Sequence, residues 1–426
     1  MLERVRAIYN AENSEAPKLL SVLTDQFFMS LATLLTTIIL ARTYERIVYA
    51  DFVLLITVTL FILGFQSSLI SKPYAINLNV FDRDKSTEYY HFNISLKLLF
   101  TVFFIAIFPL LYFLLFENIN LSSFLYYLMF IVAYTFYFFV RETLLSERKT
   151  RQNLIYGLMC SVSLIALLLY VYFNEVTDLF FFLKYASLIY FLITLIYLFK
   201  NVKPGSVFRK RDFHFFRLNW QVGKWLLGSN FLFHLSANIY PWLLLYITTK
   251  TDIAILGVLM SVGSIIKPLL AALNSYLLPL FVRLNMDYKK IRRLVRKWMV
   301  FFGFITALLL IVGYFFGQDI ILLLFGEKYA NLGLLVFYPF VVQAINIFFE
   351  PYKIALDAIK RTDINFWILI PRSIIAVVLG YLLITRFGLA GAFYTMIIEN
   401  LTYRIAHFIL YKRVLGNTKQ QMATDR

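Results

Sequence analysis

The apolar run from residue 253 to 282 places the strongest constraint on the fold, because it is long enough to cross a bilayer and carries Lys267 near its middle. Pro268 follows directly. A cation at bilayer depth costs from about 2.5 to above 10 kcal/mol, and a proline frees backbone carbonyls that other groups must satisfy. We therefore expect one helix here, facing a wet or polar interior instead of lipid.

The rest of the chain repeats this pattern of long apolar segments. Of the 426 residues, 61% are hydrophobic and only 15% are charged, against about 25% charged in soluble domains. This composition predicts an all-α polytopic membrane protein with about 12 transmembrane helices. We place the spans at 19–41, 46–70, 92–115, 120–140, 154–173, 179–199, 221–247, 253–282, 298–317, 330–349, 364–385 and 388–411.

The basic residues fall mainly on one side of these spans. With the N-terminus in the cytoplasm, 31 of the 41 Lys and Arg lie in inner segments, Arg141 among them, and five lie in outer loops. This positive-inside bias predicts that both termini are cytoplasmic. It also accounts for the net charge of +17, so nucleic acid is not expected as a partner.

Two inner connections are rich in both basic and apolar residues. Residues 200–220 interleave Arg209, Lys210, Arg211 and Arg217 with phenylalanines, and residues 283–297 carry seven basic residues around a helical apolar stripe. Either segment fits a helix lying on the anionic lipids of the inner leaflet. The alternative is that both serve only to fix the topology.

A faint internal repeat appears when the chain is shifted by 206 residues, which overlays span 1 on span 7 and span 2 on span 8. Six spans per half predict two six-helix lobes that share an orientation and enclose a central cavity. The expected parts are an N-terminal lobe (1–200), a cytoplasmic linker (201–220), a C-terminal lobe (221–415) and a cytoplasmic tail (416–426). In this register Lys267 matches Phe61, so the cation is expected in one lobe only.

Polar stripes mark the repeat-related spans 1, 2, 7 and 8 as the expected lining of that cavity. In span 7, Asn230, His234 and Asn238 are spaced four residues apart and share a helical face, as do Lys267 and Asn274 in span 8. His234 suits either a hydrogen bond between helices or proton coupling. In span 1, Asp25 fits either a structural ion pair or a coupling or gating residue.

Other charged residues lie inside the spans. Lys97 and Lys184 lie about five residues from the ends of spans 3 and 6, so we expect their side chains to snorkel to the interface. Arg372, after Pro371, is expected to face inward. Glu399 either pairs with a buried cation or carries a proton, and Arg404 either snorkels or faces the cavity.

Enzymatic motifs are missing from the sequence. It has no phosphate-binding Gly-x-x-x-x-Gly-Lys, no Cys/His cluster with metal spacing and no long outer loop. We therefore expect a protein that is not an enzyme and needs no cofactor.

Four stretches together resemble a known family. They are Ile38–Ile56, Leu323–Asn331 (Leu-Leu-Phe-Gly-Glu-Lys-Tyr-Ala-Asn), Pro351–Ala358 (Pro-Tyr-Lys-Ile-Ala-Leu-Asp-Ala) and Phe387–Phe393 (Phe-Gly-Leu-Ala-Gly-Ala-Phe). In their order and placement they are similar to the Wzx-type O-antigen and polysaccharide flippases of the multidrug/oligosaccharidyl-lipid/polysaccharide exporter superfamily.

The resemblance implies a MATE-like, two-lobed transporter that works by alternating access in the bacterial inner membrane. Its substrate would be an undecaprenyl-diphosphate-linked oligosaccharide, and its partners a polysaccharide polymerase and glycosyltransferases. The family implies a cationic cavity, which Lys267 and Arg372 could supply. From their positions in the spans, Arg404, Asn230, Asn238 and Asn274 are further candidates for binding substrate. Family members couple to H+ or Na+, for which Asp25, His234 and Glu399 are candidates. The alternatives are a lipid II-type flippase, a drug/cation antiporter, or a non-transport component of polysaccharide assembly.

Overall fold

A computed structural model describes residues 15–116, 120–201, 213–284, 287–359 and 363–424. Throughout these ranges the regular structure is helical, without a β-strand. Ten helices in the described part are long and apolar enough to cross a membrane. The two other predicted spans, 221–247 and 388–411, are helical as well. The chain is a multi-pass membrane protein, and the prediction of an all-α polytopic fold is confirmed.

The chain forms two compact units, Met1–Phe231 and Leu232–Arg426. The helices of the first unit are α1 (Glu15–Thr43), α2 (Arg46–Gln66), α3 (Lys72–Asn77), α4 (Arg83–Leu115), α5 (Leu121–Ser146), α6 (Thr150–Phe173), α7 (Leu179–Asn201) and most of α8 (Phe213–Ala237). A π-helical turn, Ser67–Ser71, joins α2 to α3. The lobe boundaries expected from the sequence stay a prediction.

The second unit begins within α8. Its further helices are α9 (Tyr240–Ile247), α10 (Lys250–Ser264), α11 (Lys267–Val282), α12 (Tyr288–Phe325), α13 (Tyr338–Ala358), α14 (Asp363–Phe387) and α15 (Leu389–Thr424). Short 3-10 turns, Glu327–Tyr329 and Gly333–Val336, link α12 to α13.

The same order of packing occurs inside each unit. In the first, α1 packs on α6, α7 packs on α5 and α6, and α5 also contacts α2 and α4. In the second, α9 packs on α14, α15 packs on α13 and α14, and α13 also contacts α10, α11 and α12. The helices in these contacts therefore have counterparts in the other unit, in chain order.

Spans 7 and 8, which were predicted to line the cavity, are each broken into two helices. This corrects the expectation that each of them is one continuous helix. Span 7 breaks at Asn238 and Ile239, just before Pro241, and span 8 breaks at Ile265 and Ile266. A proline has no N–H to donate, so the first turn of a helix, where that N–H has no helical partner, suits it better than the interior. Lys267 therefore begins α11 instead of lying within one long helix.

The basic segment 283–297 is not a separate helix on the membrane surface. From Tyr288 onwards it forms the first turns of α12, a continuous helix of 38 residues that is about 57 Å long. Ile291 and Val295 are buried on one side, while Arg293 and Lys297 are exposed on the other. The helix stays continuous because its apolar stripe packs within the second unit, in a cluster with Leu277, Ile354 and other side chains.

The motif Phe387–Phe393 has a structural basis in two glycines. Gly388 has a φ of 57°, which a side chain would strain, and its N–H donates to the carbonyl of Ile384. A Cβ on Gly391 would collide with the carbonyl of Leu383. The tight turn holds α14 against α15, the two helices that carry Arg372 and Glu399.

Candidate functional site

Buried charge is concentrated in a few clusters. Among the described residues, three carboxylates are buried (Asp25, Glu350 and Glu399) together with four side chains of Lys and Arg (Lys97, Arg141, Arg372 and Arg404). Each of the three carboxylates forms a salt bridge with an arginine. A buried charge without a partner is very costly, so these pairs are the first requirement for placing such residues inside a membrane protein.

Asp25 on α1 lies at the centre of the cluster in the first unit. Its Oδ2 accepts hydrogen bonds from Nε of Arg141 at 3.1 Å and from Nδ2 of Asn153 at 2.8 Å, and it also pairs with Nη2 of Arg141. Its Oδ1 has no hydrogen-bond partner and lies against Gly157, where a Cβ would collide with it. Of the two roles left open for Asp25, the geometry shows the ion pair.

Arg141 is not an inner-loop cation, as the sequence suggested, but a buried residue within α5. It lies about one turn before the end of that helix. The apolar run in the sequence ends at residue 140, so Arg141 was expected just outside the membrane. Its buried partner on α1 is 116 positions away in the sequence, and no local pattern connects the two.

Lys97 on α4 forms a second cluster in the first unit, and it does not snorkel. Only 1% of it is exposed. Its Nζ donates to Oε1 of Gln66 at 2.6 Å and to Oγ1 of Thr135 at 2.9 Å, and it lies 4.5 Å from the centre of the Phe136 ring. The side chain does not extend to the interface because Gln66 and Thr135 already supply two hydrogen-bond acceptors to its ammonium group between the helices. Lys184, by contrast, is exposed as expected.

Arg372 and Glu399, predicted separately, pair in the second unit. Nη2 of Arg372 lies 3.3 Å from Oε1 of Glu399 and 3.4 Å from Oδ1 of Asn400, and its guanidinium stacks on the Tyr403 ring at 4.8 Å. Tyr240 on α9 interacts electrostatically with both charges. Nε of Arg372 and Oε2 of Glu399 have no hydrogen-bond partner.

Arg404 lies one turn further along α15 and pairs with Glu350, a residue that the sequence did not single out. Nη1 of Arg404 donates to Oε2 of Glu350 at 2.7 Å, and its Nε donates to Oδ1 of Asn346 at 3.0 Å. Nδ2 of Asn274 donates to Oε1 of Glu350 at 2.9 Å. The predicted residues Arg404 and Asn274 thus meet through a shared carboxylate.

The polar stripe of span 7 is divided by the helix break. Asn238, just after the end of α8, contacts Nδ1 of His234 at 2.6 Å. With the amide donating, the ring nitrogen accepts, which leaves the ring proton on Nε2. Asn230, two turns earlier, has a buried Nδ2 without a hydrogen-bond partner.

Lys267 is exposed at the start of α11, and it has no hydrogen bond or salt bridge with the residues that the structure describes. The first unit carries a similar feature: Lys72 is exposed at the start of α3, directly after the π-helical turn, and Pro73 follows it. The two breaks align Lys72-Pro73 with Lys267-Pro268, where the uniform shift of 206 residues matched Lys267 to Phe61. In this register both units carry a lysine at the start of the helix after the break, and the expectation that only one half carries the cation stays a prediction.

The structure brings together Arg372 with Glu399, His234 with Asn238, and Arg404 with Asn274. Asp25, Asn230 and Lys267 are not joined to other predicted residues within their units. Sequence reasoning missed Arg141, Glu350 and the acceptors of Lys97. Glu350 comes directly after the predicted span 330–349, so its position at the expected membrane boundary gave no sign that it is buried within α13.

Comparison with solved structures identifies the fold. The chain is similar to an inward-facing multidrug resistance MATE family transporter of the MOP superfamily, with a TM-score of 0.73, 14% identity, and coverage of 92% of this chain and 96% of that one. It is also similar to the lipid II flippase MurJ in an inward closed conformation, with a TM-score of 0.66, 12% identity, and coverage of 91% and 86%.

The chain has a MATE-type fold. A MOP superfamily transporter from Pyrococcus furiosus, whose binding pocket is said to have reverse polarity, shares it at a TM-score of 0.55 and 14% identity, over 94% of this chain and 95% of that one. No family model matches the sequence. The capsular polysaccharide biosynthesis protein CapF of Staphylococcus aureus is 28% identical over 150 residues, which span 34% of this chain and 37% of CapF.

Proposed function

We propose that the protein is a flippase that moves an undecaprenyl-diphosphate-linked oligosaccharide across the bacterial inner membrane by alternating access. The fold is one that a lipid II flippase also uses, and the partial match to CapF points towards polysaccharide assembly. The Wzx-type motifs support the same class of substrate.

The balance of charge inside the chain carries the proposal. Every buried carboxylate of the described residues is neutralised by an arginine, whereas Lys267, Lys72 and Lys97 form no salt bridge with a carboxylate there. Among the buried charged residues of the described part, the charge that the arginine–carboxylate pairs leave over is therefore positive. A diphosphate needs cations that replace its water during transfer, while a cationic drug needs unpaired carboxylates.

Lys267 is the residue we assign to the diphosphate. It is exposed and has no hydrogen bond or salt bridge in the described part of the chain, so binding an anion there breaks no existing contact. Arg372 and Arg404 are already paired with Glu399 and Glu350. We assign these two arginines to holding α13, α14 and α15 together, and we assign Asn230, with its spare amide donor, to the sugar.

Reconstituted protein tests the assignment directly. Purified protein in liposomes is supplied with a fluorescent undecaprenyl-diphosphate oligosaccharide, and its arrival in the opposite leaflet is measured with a membrane-impermeant glycosidase. We expect Lys267→Ala to lower the initial rate by at least about tenfold, the equivalent of 1.4 kcal/mol, and Lys267→Arg to recover most of it. Lys184→Ala, at another exposed lysine within a span, is the matched control. Equal rates for Lys267→Ala and Lys184→Ala would remove Lys267 from the site.

The same liposomes separate the alternatives. Lipid II and a lipophilic cationic dye are offered in parallel assays with wild-type protein. A preference for lipid II would make the protein a peptidoglycan-precursor flippase, and transport of the dye alone would make it a drug/cation antiporter. Both results contradict the proposal. The first would show that the substrate carries a different saccharide, and the second that the substrate is a cation and not an anion.

The cellular setting belongs to the same proposal. Cytoplasmic termini follow from the positive-inside bias, and the basic first turns of α12 then lie beside the anionic lipids of the inner leaflet. A polymerase and glycosyltransferases acting on the same lipid-linked substrate are the expected partners. Labelling of single cysteines placed in the first ten and last ten residues, from either side of the membrane, tests the topology.

A further inference from the structure

Lys97 differs from the other buried cations in the partners that surround it. The three buried arginines each face a carboxylate. Lys97 faces two neutral oxygens and an aromatic ring instead, and no carboxylate of the described residues lies within salt-bridge distance of it. An arginine stays protonated in any protein, whereas a buried lysine can lose its proton.

The hydrogen bonds around Lys97 have fixed directions. The Thr135 hydroxyl donates to the carbonyl of Val132 at 3.1 Å, so its oxygen can accept from Lys97. The Gln66 amide donates to the carbonyl of Thr135 at 3.1 Å, which turns its Oε1 towards Lys97. Both acceptors therefore stay in place whichever form of the lysine is present.

These two acceptors satisfy both protonation states. A neutral amine has two N–H groups, which match Gln66 and Thr135. An ammonium has a third, and the Phe136 ring, 4.5 Å from Nζ, stabilises that extra charge through a cation–π contact. Lys97 can therefore lose or gain one proton without breaking either hydrogen bond. In a salt bridge, by contrast, loss of the proton would remove the attraction to the carboxylate.

Charged residues continue from this site towards an exposed residue. Glu142, seven residues after Thr135 on α5 and hence about 10 Å along the helix, acts electrostatically on Lys97. Its Oε1 accepts from Ser67 at 3.3 Å, and its Oε2 has no hydrogen-bond partner. Lys72 on α3 acts in turn on Glu142 and is itself exposed. The other element packed beside Lys97, α2, contributes the neutral Gln66.

The backbone next to the site is irregular. Gln66 is the last residue of α2, and the π-helical turn Ser67–Ser71 starts directly after it. Single π turns inside helices occur often at functional sites. Hydrogen bonds from a charged donor are roughly twice as strong as neutral ones. The bond from Lys97 to Gln66 is therefore stronger when Lys97 is protonated, and it then fixes the position of Gln66, the residue before the turn, more firmly.

We propose that Lys97 is a proton-binding site, which exchanges one proton with water by way of Glu142 and thereby couples a proton gradient to movement of the π-helical turn. The ammonium releases the proton and keeps its electron pair as the amine, and the reverse step restores the charge. The coupling part rests on the proposed transport function, whereas the binding of a proton does not.

The first test needs no transport. Full-length protein in lipid nanodiscs is followed by hydrogen exchange of Ser67–Ser71 between pH 6 and pH 10. We expect protection of this turn to change with a single-proton transition in wild-type protein and to lose that transition in Lys97→Met and Lys97→Arg. The control Lys184→Met keeps the wild-type profile. If Lys97→Met does not fold, Thr135→Val removes one acceptor and should move the midpoint by about one pH unit, the equivalent of one hydrogen bond.

The second test uses the liposomes described above. The oligosaccharide transport rate is measured with and without a proton gradient, and the two rates are compared as a ratio. This ratio should fall to about one in Lys97→Arg, because arginine cannot release its proton. It should stay at the wild-type value in Lys184→Met. A wild-type ratio in Lys97→Arg, or an unchanged hydrogen-exchange transition in both Lys97 variants, would overturn the proposal. If wild-type protein moves no oligosaccharide at all, the proposed function fails, while hydrogen exchange still decides the role of Lys97.

Discussion

The two units keep charge inside a membrane protein in different ways. The second unit holds two Arg–Glu pairs that share α15, which supplies Glu399 to Arg372 of α14 and Arg404 to Glu350 of α13. The first unit holds one such pair, Asp25 with Arg141, and beside it Lys97 among neutral groups. Their helices pack in the same order, so the difference lies in the side chains and not in the architecture.

This difference distinguishes charged residues that stabilise the fold from charged residues that can bind an anion or exchange a proton. An arginine paired with a carboxylate keeps a fixed charge and binds its helices together. A lysine without a carboxylate can bind an anion if it is exposed, as Lys267 is, or exchange a proton if it is buried, as Lys97 is. We therefore expect the arginine pairs to determine stability and the lysines to determine transport.

Breaking an ion pair should have the largest effect on stability. In Asp25→Ala and in Glu350→Ala an arginine stays buried without its partner, which typically costs about 3–5 kcal/mol. We expect both variants to melt far below the wild type when unfolding is followed in detergent by tryptophan fluorescence.

The double variants Asp25→Leu/Arg141→Met and Glu350→Leu/Arg404→Met serve as controls for this effect, since they remove both charges and should recover much of the loss. If one unit tolerates its single variant, the pairs of the two units are not equivalent in their structural role.

A smaller effect should follow from a methyl group placed against Asp25. In Gly157→Ala the new Cβ meets the Asp25 carboxylate, which Arg141 and Asn153 hold in place, and overpacking of this kind costs about 1–3 kcal/mol. Gly303→Ala in α12 is the matched control, because nothing lies within 4 Å of the added carbon, and it should stabilise the helix by about 0.5–1 kcal/mol. Equal melting temperatures for the two variants would show that the Asp25 cluster can shift.

The smallest effect concerns two helix caps. Asn120 caps α5 by accepting from the N–H of Ser122 at 3.1 Å. Asp287 caps α12 by accepting from the N–H groups of Lys289 and Lys290, each at 3.1 Å. The backbone and side chain of Lys290 hold the pKa of Asp287 below its ordinary value.

A carboxyl group with a lowered pKa stabilises the folded state above its unfolded pKa, about 4, and loses that contribution as the pH falls through the lowered value. We therefore expect Asp287→Asn to reduce the acid dependence of the melting temperature between pH 5 and pH 3, and Asn120→Ala to leave that dependence unchanged. A steeper acid dependence in Asp287→Asn would contradict this assignment.

The sequence was sufficient for the fold because its main signal is local. Long apolar runs and the distribution of Lys and Arg depend only on neighbouring residues, and they predicted the spans and the helical class. The helix breaks were harder to predict. Pro241 and Pro268 mark them, but a proline in the first turn of a second helix and a proline inside one long helix give the same sequence.

The site could be predicted only in part, because its partners are distant in the sequence. The polar stripe of α8 and the charges of α14 and α15 were visible as polar residues among apolar ones. Whether Lys97 snorkels or is enclosed depends on Gln66 and Thr135, which lie 31 and 38 positions away. A uniform shift between the halves also failed to align Lys72 with Lys267, because the helical segment before the break is longer in α2 than in α10.

The pair of Asp25 and Arg141 has a consequence for how the chain is made. Asp25 is in α1, and Arg141 follows 116 residues later in α5. At about 5–20 residues per second, the arginine is synthesised about 6–23 s after the aspartate. During that interval the carboxyl group of Asp25 must either stay at the water boundary or enter the membrane protonated. Insertion of α1 with an ionised Asp25 can therefore be completed only after α5 has been made, and a chain stopped between them would be a substrate for quality control.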